Sequence, residues 1–346
     1  MSDSNKKFIN GHEVVVQAAL DAGAVSMYGY PITPTCEILS GWAKRGEICL
    51  QTEDEIAAGF AVCGAVLAGQ KSFTASAGPG HVLLQDSMSM AEGMRLPFVL
   101  IAGQRGGPSS GTVIYSQQEV TLACYGGNGE GLRLVYSPST IEELYVLTRR
   151  AFNEAWKYRF PAIVLTDGFT LKTRGVVDFS KMEKIENVES HALVPEDKIV
   201  HWQNIYTFEE DLYQELQNAK TDFDNITPEI VGAEEYKTED AEILLVAHGI
   251  VALSAKEAVD ELRHKGVKVG LFRPITLRPF PKHNLDKVAG VKKIKKIVVA
   301  ESSLGQFARI IRDELAPEID KSFSYLQYPG LGIETDELVL QIQKLI

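Results

Sequence analysis

The sequence is poor in cysteine and has no long apolar run, and each absence excludes a class of protein. Its 346 residues include four cysteines, with no C-x-x-C pair and with spacings that suit neither a zinc ribbon nor an iron–sulfur cluster. No apolar run approaches the roughly 18 residues of a membrane span. The first seven residues contain no apolar stretch like that of a signal peptide. We therefore expect a cytoplasmic protein that neither enters the membrane nor holds a metal ion of its own.

An excess of positive charge is also absent. The formal net charge is −11 at pH 7, which argues against a protein that binds nucleic acid through its phosphates. Hydrophobic residues make up 45% and charged residues 23% of the chain, which is typical of globular proteins. A chain of this length buries a substantial core, and we expect it to form two domains.

The N-terminal half alternates between apolar strands and helices. Strands are predicted at residues 25–30, 72–77, 98–103 and 162–167. Helices are predicted at residues 13–22, 55–68, 80–94 and 140–158. The last of these helices has Thr140 as its predicted N-cap, with Glu143 completing a capping box. Apolar strands separated by helices indicate a parallel sheet that is covered on both faces.

The alternation weakens after residue 178 and returns at about residue 241. The intervening stretch is charged, with scattered aromatic residues, and one helix is predicted in it at 208–219. Further on, strands are predicted at 243–248, 267–272 and 297–300, and helices at 254–265 and 306–315. The predicted organisation is an α/β domain at 1–178, a connecting segment at 179–240 and a second, smaller α/β domain at 241–346.

Three short segments place chemically useful side chains at the ends of predicted strands. They read Gly-Tyr-Pro-Ile-Thr-Pro at 29–34, Glu-Asp-Glu-Ile-Ala-Ala-Gly at 53–59 and Gln-Arg-Gly-Gly-Pro-Ser at 104–109. Together they bring a hydroxyl group, a carboxylate in an apolar helix and a guanidinium group to one rim of a sheet. We interpret this set as one half of an active site.

Glu55 is the candidate for acid–base chemistry. It opens a helix whose next residues are almost all small or apolar, and burial in such surroundings raises the pKa of a carboxyl group. A carboxyl group of this kind holds a proton near neutral pH and exchanges it with a cofactor nitrogen. The alternative is that Glu53, Asp54 and Glu55 only favour the N-terminus of the helix electrostatically.

Three further segments each have two interpretations. Gly78-Pro79-Gly80 precedes a helix, where free backbone amides can form an anion site. Arg105 follows a strand and is placed to bind a carboxylate or phosphate with two hydrogen bonds, or else it is an ordinary surface arginine. The glycine-rich run at 126–131 does not follow a strand and open a helix, so we interpret it as a flexible loop.

The ordered set of motifs resembles the α subunit of the 2-oxoacid:ferredoxin oxidoreductases. The segments at 29–34, 53–59 and 104–109, with Ala-Ser-Ala-Gly-Pro-Gly at 75–80, occur in the order of that family. Gly-Leu-Phe-Arg-Pro at 270–274 and Glu-Ser-Ser-Leu-Gly-Gln at 301–306 resemble its C-terminal domain. The resemblance implies a thiamine diphosphate-binding, pyrimidine-type parallel-sheet domain followed by a transketolase C-terminal-like α/β domain.

The resemblance also implies a reaction and a set of partners. The family oxidatively decarboxylates a 2-oxoacid, with coenzyme A as the acyl acceptor and ferredoxin as the electron acceptor. A separate β subunit carries the diphosphate site with Mg²⁺ and a 4Fe-4S cluster, and a second α–β unit is expected in the assembly. This chain fits that division of labour, because it lacks a Gly-Asp-Gly motif followed by Asn and lacks cluster cysteines. The substrate stays open among 2-oxoglutarate, branched-chain 2-oxoacids and pyruvate.

Carrying the family's roles over to matching positions gives a specific site. Glu55 resembles the glutamate that protonates the aminopyrimidine ring, and Glu53 is its alternative. Thr33 resembles the threonine that contacts the substrate carboxylate, and Arg105 resembles the arginine of the substrate pocket. The implied substrate-binding residues are Thr33, Arg105, Ser109, Ser110 and Gln117. The implied cofactor-binding residues are Pro31, Ile32, Glu55, Gly78 and Gly80.

Two other functions stay open on the sequence alone. One is a subunit of a non-redox thiamine diphosphate enzyme, such as a decarboxylase or a transketolase-like protein. The other is a catalytically silent structural subunit. A partner that carries clusters favours the oxidoreductase, whereas activity that survives the loss of Glu55 favours the silent subunit.

Overall fold

Two α/β sheets that share an apolar core form most of the chain in a computed structural model. The structure describes residues 6–195, 197, 199–200 and 202–345. A short antiparallel ribbon pairs β1 (Lys6–Asn10) with β8 (Arg174–Asp178) outside both sheets. No helix in these described ranges is both long and apolar enough to cross a bilayer.

The N-terminal sheet has seven strands. In spatial order they are β3 (Ile48–Gln51), β2 (Ser26–Gly29), β4 (Ser72–Ser76), β5 (Val99–Gln104), β7 (Ala162–Asp167), β6 (Leu134–Tyr136) and β12 (Thr276–Arg278). The first six strands are parallel, and β12 is antiparallel to β6. Strands β5 and β7 are buried along their whole length, as expected for central strands that are covered on both faces.

Helices cover both faces of this sheet. They are α1 (Gly11–Asp21), α2 (Cys36–Arg45), α3 (Glu55–Leu67), α4 (Pro79–Leu83), α5 (Gln85–Gly93), α6 (Val120–Tyr125), α7 (Ile141–Tyr158) and α8 (Gly168–Lys172). Strand β2 continues into α2, which packs on one face, whereas the neighbouring strand β4 continues into α4 and α5 on the other. In open parallel sheets, ligands bind at the carboxyl ends of two strands that diverge in this way.

The two faces have separate apolar cores. On the face covered by α1, α2 and α7, the rings of Trp42, Phe73 and Phe152 pack edge to face, with centroid distances of 5.0 and 5.6 Å. On the other face, Leu100 belongs to a core that continues into the second sheet at Phe272. This shared core holds the two sheets together.

The C-terminal sheet has five strands. In spatial order they are β14 (Ser322–Gln327), β13 (Lys296–Glu301), β10 (Ile243–Val246), β11 (Val269–Pro274) and β9 (Ala233–Tyr236). Only β9, in this sheet, runs antiparallel to its neighbour. The remaining helices are α9 (Glu209–Ile230), α10 (Gly249–His264), α11 (Lys282–Ala289), α12 (Gln306–Glu314) and α13 (Thr335–Lys344).

Two strands exchange partners across the predicted domain boundary. Strand β9 lies in the segment predicted to connect the domains, yet it pairs with β11 of the C-terminal sheet. Strand β12 lies within the predicted second domain, yet it pairs with β6 of the N-terminal sheet. The division at residues 178 and 240 therefore stays a prediction.

Several predicted helices differ from the observed ones. The helix predicted at 80–94 is two helices, α4 and α5, and the helix predicted at 208–219 continues as α9 to Ile230. The helix predicted from residue 254 already begins at Gly249. The N-cap prediction is confirmed, because Thr140 accepts a hydrogen bond from the Glu143 amide. The capping box is wrong, because the Glu143 carboxylate binds the amide of Ser139 and the side chain of Arg273 instead.

Candidate active site

Five loops meet at the edge of the N-terminal sheet where its parallel strands end. They follow β3, β2, β4, β5 and β7. Each loop contains a predicted site residue or contacts one. The loops after β2 and β4 flank the point where the chain diverges to opposite faces. The edge therefore has the position at which an open parallel sheet binds ligands.

Glu55 lies at this edge as the first residue of α3. Asp54 caps the helix by accepting a hydrogen bond of 2.7 Å from the amide of Ala57, which leaves the Glu55 side chain free of that task. The side chain is buried, and burial raises the pKa of its carboxyl group. A hydrogen bond from the Glu55 backbone and the charge of Arg105 lower this pKa, and the charge of Asp54 raises it, but burial has the largest effect. No side chain in the described part of the chain donates a hydrogen bond to this carboxylate. Its oxygens are available to a ligand.

The turn at 78–80 is fitted between Glu55 and Arg105. Gly78 has a φ of +53°, and a Cβ atom there would lie 2.6 Å from Nε of Arg105. A Cβ atom at Gly80 would lie 2.2 Å from Oε1 of Glu55 and 2.3 Å from Oγ of Ser76. Both positions therefore require glycine, because the backbone of the turn touches the two charged side chains.

Arg105 is a buried cation with little compensation. Its Nη1 donates a hydrogen bond of 2.8 Å to the backbone carbonyl of Thr33, and its buried Nε has no hydrogen-bond partner among the residues that the structure describes. Among the described residues, no carboxylate lies within ion-pair distance of this guanidinium group. A buried cation is unfavourable without an anionic partner, and a guanidinium group binds carboxylates with two parallel hydrogen bonds. Arg105 is therefore suited to bind a carboxylate that this chain does not supply.

The loop after β2 carries Thr33 next to Arg105. The Thr33 hydroxyl has only a weak contact, of 3.9 Å, with the sulfur of Cys36. His12 of α1 fixes the following residue from below through a hydrogen bond of 2.8 Å between its Nε2 and the carbonyl oxygen of Pro34. Pro31 is exposed and Ile32 is half-buried at the rim of the site. The structure thus brings Thr33, Gly78 and Arg105 together, with Glu55 on the far side of the turn.

The remaining predicted pocket residues lie in the loop at 106–118. Ser109 and Ser110 are exposed at its tip, and Ser109 has a φ of +55°. Gln117 is fully buried between the two sheets, where its amide group donates to the carbonyl of His248 and accepts from the amide of Ser302. Both ends of the Gln117 side chain are therefore occupied by the C-terminal domain. Its role in binding substrate stays a prediction, as do those of Ser109 and Ser110.

Glu119 and His81 also lie at this edge, and no motif in the sequence points to either. The buried Glu119 carboxylate accepts hydrogen bonds from the amides of Gly78 and Arg105, and it pairs with Nδ1 of the buried His81 at 2.8 Å. Glu119 stands immediately before the apolar helix α6, where an acid is usually interpreted as a helix cap. No sequence signal separates that ordinary role from the observed one.

An exposed apolar surface borders Glu55. Ile56 and Phe60 project from the same side of α3, and Val82 and Leu83 are exposed at the end of α4. Gly64 continues the strip one turn further along α3, and a Cβ atom there would have no neighbour within 4 Å. Within the described residues, no group of three or more His, Cys, Asp or Glu side chains is arranged to hold a metal ion.

Comparisons with known proteins place the chain in a family. Residues 17–243 match the family described as pyruvate flavodoxin/ferredoxin oxidoreductase, thiamine diphosphate-binding, and residues 241–331 match pyruvate:ferredoxin oxidoreductase core domain II. The 2-oxoglutarate synthase subunit KorA of Methanocaldococcus jannaschii is 33% identical, over 87% of this chain and 89% of its own length. The ketoisovalerate oxidoreductase subunit VorB of Methanothermobacter marburgensis is 35% identical, over 82% of this chain and 83% of its own.

A solved structure has the same fold. It is the 2-oxoglutarate:ferredoxin oxidoreductase from Magnetococcus marinus with 2-oxoglutarate, coenzyme A and succinyl-CoA bound, and it matches with a TM-score of 0.87 and 24% sequence identity. The match covers 98% of this chain and 65% of the other, so this chain spans just under two thirds of that protein's length. At this identity the likeness supports the fold.

The fold and the family matches define a thiamine diphosphate-binding subunit of an oxidoreductase. The chain belongs to the 2-oxoacid:ferredoxin oxidoreductase family, and its relatives of similar length are the subunits named KorA and VorB. The resemblance stated from the motifs is confirmed, and so is the predicted α/β fold with its parallel thiamine diphosphate-type domain.

Proposed function

We propose that this chain is the α subunit that activates the cofactor and binds the substrate carboxylate in the oxidative decarboxylation of a 2-oxoacid. The products of the complete enzyme are acyl-coenzyme A, CO2 and reduced ferredoxin. The observation that carries the proposal is the buried, unpaired guanidinium group of Arg105. It lies beside Thr33, at the same sheet edge as the buried carboxyl group of Glu55, whose pKa is raised.

The residues around Glu55 fit the pyrimidine end of thiamine diphosphate. The Glu55 carboxyl is free of hydrogen-bond donors from side chains, and the buried hydroxyl of Ser76 beside it has no partner. Pro31, Ile32, Gly78 and Gly80 would complete this side of the cofactor site. Thiamine diphosphate, when bound, supplies the electron sink that makes the loss of CO2 feasible. Glu55 holds a proton at its carboxyl oxygen and exchanges it with a ring nitrogen.

Arg105 and Thr33 act on the carboxylate that all 2-oxoacids share. The guanidinium group is anchored by the Thr33 carbonyl, which leaves its other N–H groups for the substrate. The Thr33 hydroxyl adds a neutral donor at the same place. Ser109, Ser110 and Gln117 belong to the loop that we assign to the variable end of the substrate. KorA and VorB relatives are named for different 2-oxoacids, which fits a site whose fixed part recognises only the common group.

A β subunit that holds the diphosphate, Mg²⁺ and a 4Fe-4S cluster would cover the open side of this site. The exposed strip of Ile56, Phe60 and Gly64, with Val82 and Leu83, gives α3 and α4 an apolar, smooth surface beside Glu55. Apolar patches of this kind mark protein interfaces.

We further propose that α and β pair again into a larger assembly. The domains are those at 1–178 and 241–346, joined by 179–240.

The test is Glu55→Gln in the complex with the β subunit, because Gln keeps the volume of Glu but cannot exchange a proton. We expect turnover to fall by roughly 10²- to 10⁴-fold while the complex still assembles. The matched control is Glu53→Gln, which removes an exposed carboxylate two residues earlier and should leave turnover unchanged. If Glu55→Gln keeps activity within a few fold of wild type and Glu53→Gln does not, the role belongs to Glu53.

A further inference from the structure

Glu119 connects the ends of two neighbouring strands through a single carboxylate. Its Oε1 accepts from the amide of Gly78, after β4, at 2.8 Å and from the amide of Arg105, after β5, at 2.9 Å. Its Oε2 accepts from Nδ1 of His81 at 2.8 Å. Two of the donors lie in the loops that face Glu55 and the substrate carboxylate in the proposed site, and His81 lies on the short helix α4 that follows Gly78.

The ordinary roles of a buried acid do not account for this arrangement. Glu119 stands at the N-cap position of α6, but its side chain accepts no hydrogen bond from that helix. It forms no ion pair with a lysine or an arginine among the described residues. A carboxylate that accepts hydrogen bonds from two site loops and from α4, and none from its own helix, serves the geometry of those segments.

We propose that Glu119 is a positioning residue that sets the place of the Arg105 guanidinium group. It acts directly, by holding the Arg105 backbone, and through Gly78, whose backbone packs against the Arg105 side chain. Arg105 is thus held at two points. Glu119 accepts a hydrogen bond from its backbone amide, and the Thr33 carbonyl accepts one from its guanidinium group. This inference rests on the proposed role of Arg105 in binding the substrate.

The His81 ring limits which side chains can replace Glu119 without loss of hydrogen bonds. The ring is fully buried, its Nδ1 lies 2.8 Å from Oε2 of Glu119, and its Nε2 has no hydrogen-bond partner among the described residues. The Glu119 carboxylate accepts an N–H from Nδ1. A glutamine could keep both backbone donors only with its NH2 group facing His81, and the ring proton would then have to move to Nε2, where no acceptor is found in the described part of the chain. Glu119→Gln therefore disturbs the loops although it keeps the size of the side chain.

The test is a double-mutant cycle in the assembled complex, with kcat and KM measured for the 2-oxoacid. Glu119→Gln alone should raise KM about 10-fold, the loss of roughly one charge-assisted hydrogen bond, and change kcat by no more than about threefold. Arg105→Ala alone should raise KM further. The double variant should be within about twofold of Arg105→Ala, because no guanidinium group is left to misplace.

The control is Glu301→Gln, which changes another buried carboxylate that accepts two backbone amides, those of Phe307 and Ala308, in the C-terminal sheet. It should lower thermal stability without changing KM.

A Glu119→Gln variant with unchanged KM, or effects that simply multiply in the double variant, would overturn the inference while the proposed function stands. If Arg105→Ala itself has no effect, the proposed function fails instead. Glu119→Asp keeps the charge and serves as a second variant. If neither variant assembles, Glu119 is a folding residue and the inference is wrong.

Discussion

Replacing Arg105 with alanine should weaken the use of every 2-oxoacid by about the same factor. The buried guanidinium group has one protein acceptor, the Thr33 carbonyl, and no carboxylate partner in the described part of the chain. In the proposed site the substrate carboxylate accepts its charge-assisted hydrogen bonds, whose loss costs about 1.5–3 kcal/mol. This corresponds to a fall in kcat/KM of roughly 10- to 150-fold. The change should fall mainly on KM, because the carboxylate is bound before and during the reaction.

The assay compares pyruvate, 2-oxoglutarate and a branched-chain 2-oxoacid, at saturating coenzyme A and electron acceptor. Arg105→Lys should be intermediate, because lysine keeps the charge but cannot form two parallel hydrogen bonds. Arg309→Ala, on the exposed side of α12, is the control and should have no effect. A loss confined to 2-oxoglutarate would show that Arg105 recognises the distal carboxylate. If no substrate is affected, the interpretation of Arg105 as a binding residue is refuted.

Two further predictions concern stability and assembly. Burial raises the pKa of Asp167 from 3.8 to about 6, so its charged form is unfavourable in the folded chain. Relative to the wild type, Asp167→Asn should therefore gain about 3 kcal/mol in free energy of unfolding when the pH is raised from low pH to pH 8. The wild type has this stability below the unfolded pKa and loses it as the pH rises through 6. Urea unfolding of both proteins across this pH range measures it, with the exposed Asp320→Asn as the control. The chain without its β subunit should bind thiamine diphosphate poorly, and micromolar binding in calorimetry would contradict this.

The meeting of the candidate site residues at one sheet edge was predictable from the sequence, although the contacts are long-range. Thr33 and Arg105 are 72 residues apart, yet they meet. Apolar runs predict parallel strands, and the carboxyl ends of such strands share one edge of the sheet. Residues that follow those runs were therefore expected to lie together. The same rule does not say which atoms touch, so the sequence did not predict that Arg105 binds a backbone carbonyl and not the Thr33 hydroxyl.

Other features escaped prediction because tertiary contacts decide them. The second half of α9 contains Thr221, Thr227 and Pro228, which are poor helix formers, but Phe223 and Ile230 bury against the N-terminal core and support it. Glu119 was missed because its three donors lie 14, 38 and 41 residues away, on two loops and on the short helix α4. Periodicity carries no information about such contacts.

Several buried polar atoms around the turn at 78–80 make the folded chain less stable. Among the described residues, no hydrogen-bond partner is found for Oγ of Ser76, Nε2 of His81 or Nε of Arg105. Each such group costs about 1–3 kcal/mol. The raised pKa of Glu55 means that its charged form is also unfavourable there. Ligands that satisfy these groups stabilise the folded chain by mass action. In the proposed site these atoms would therefore link the stability of the chain to the binding of substrate and cofactor.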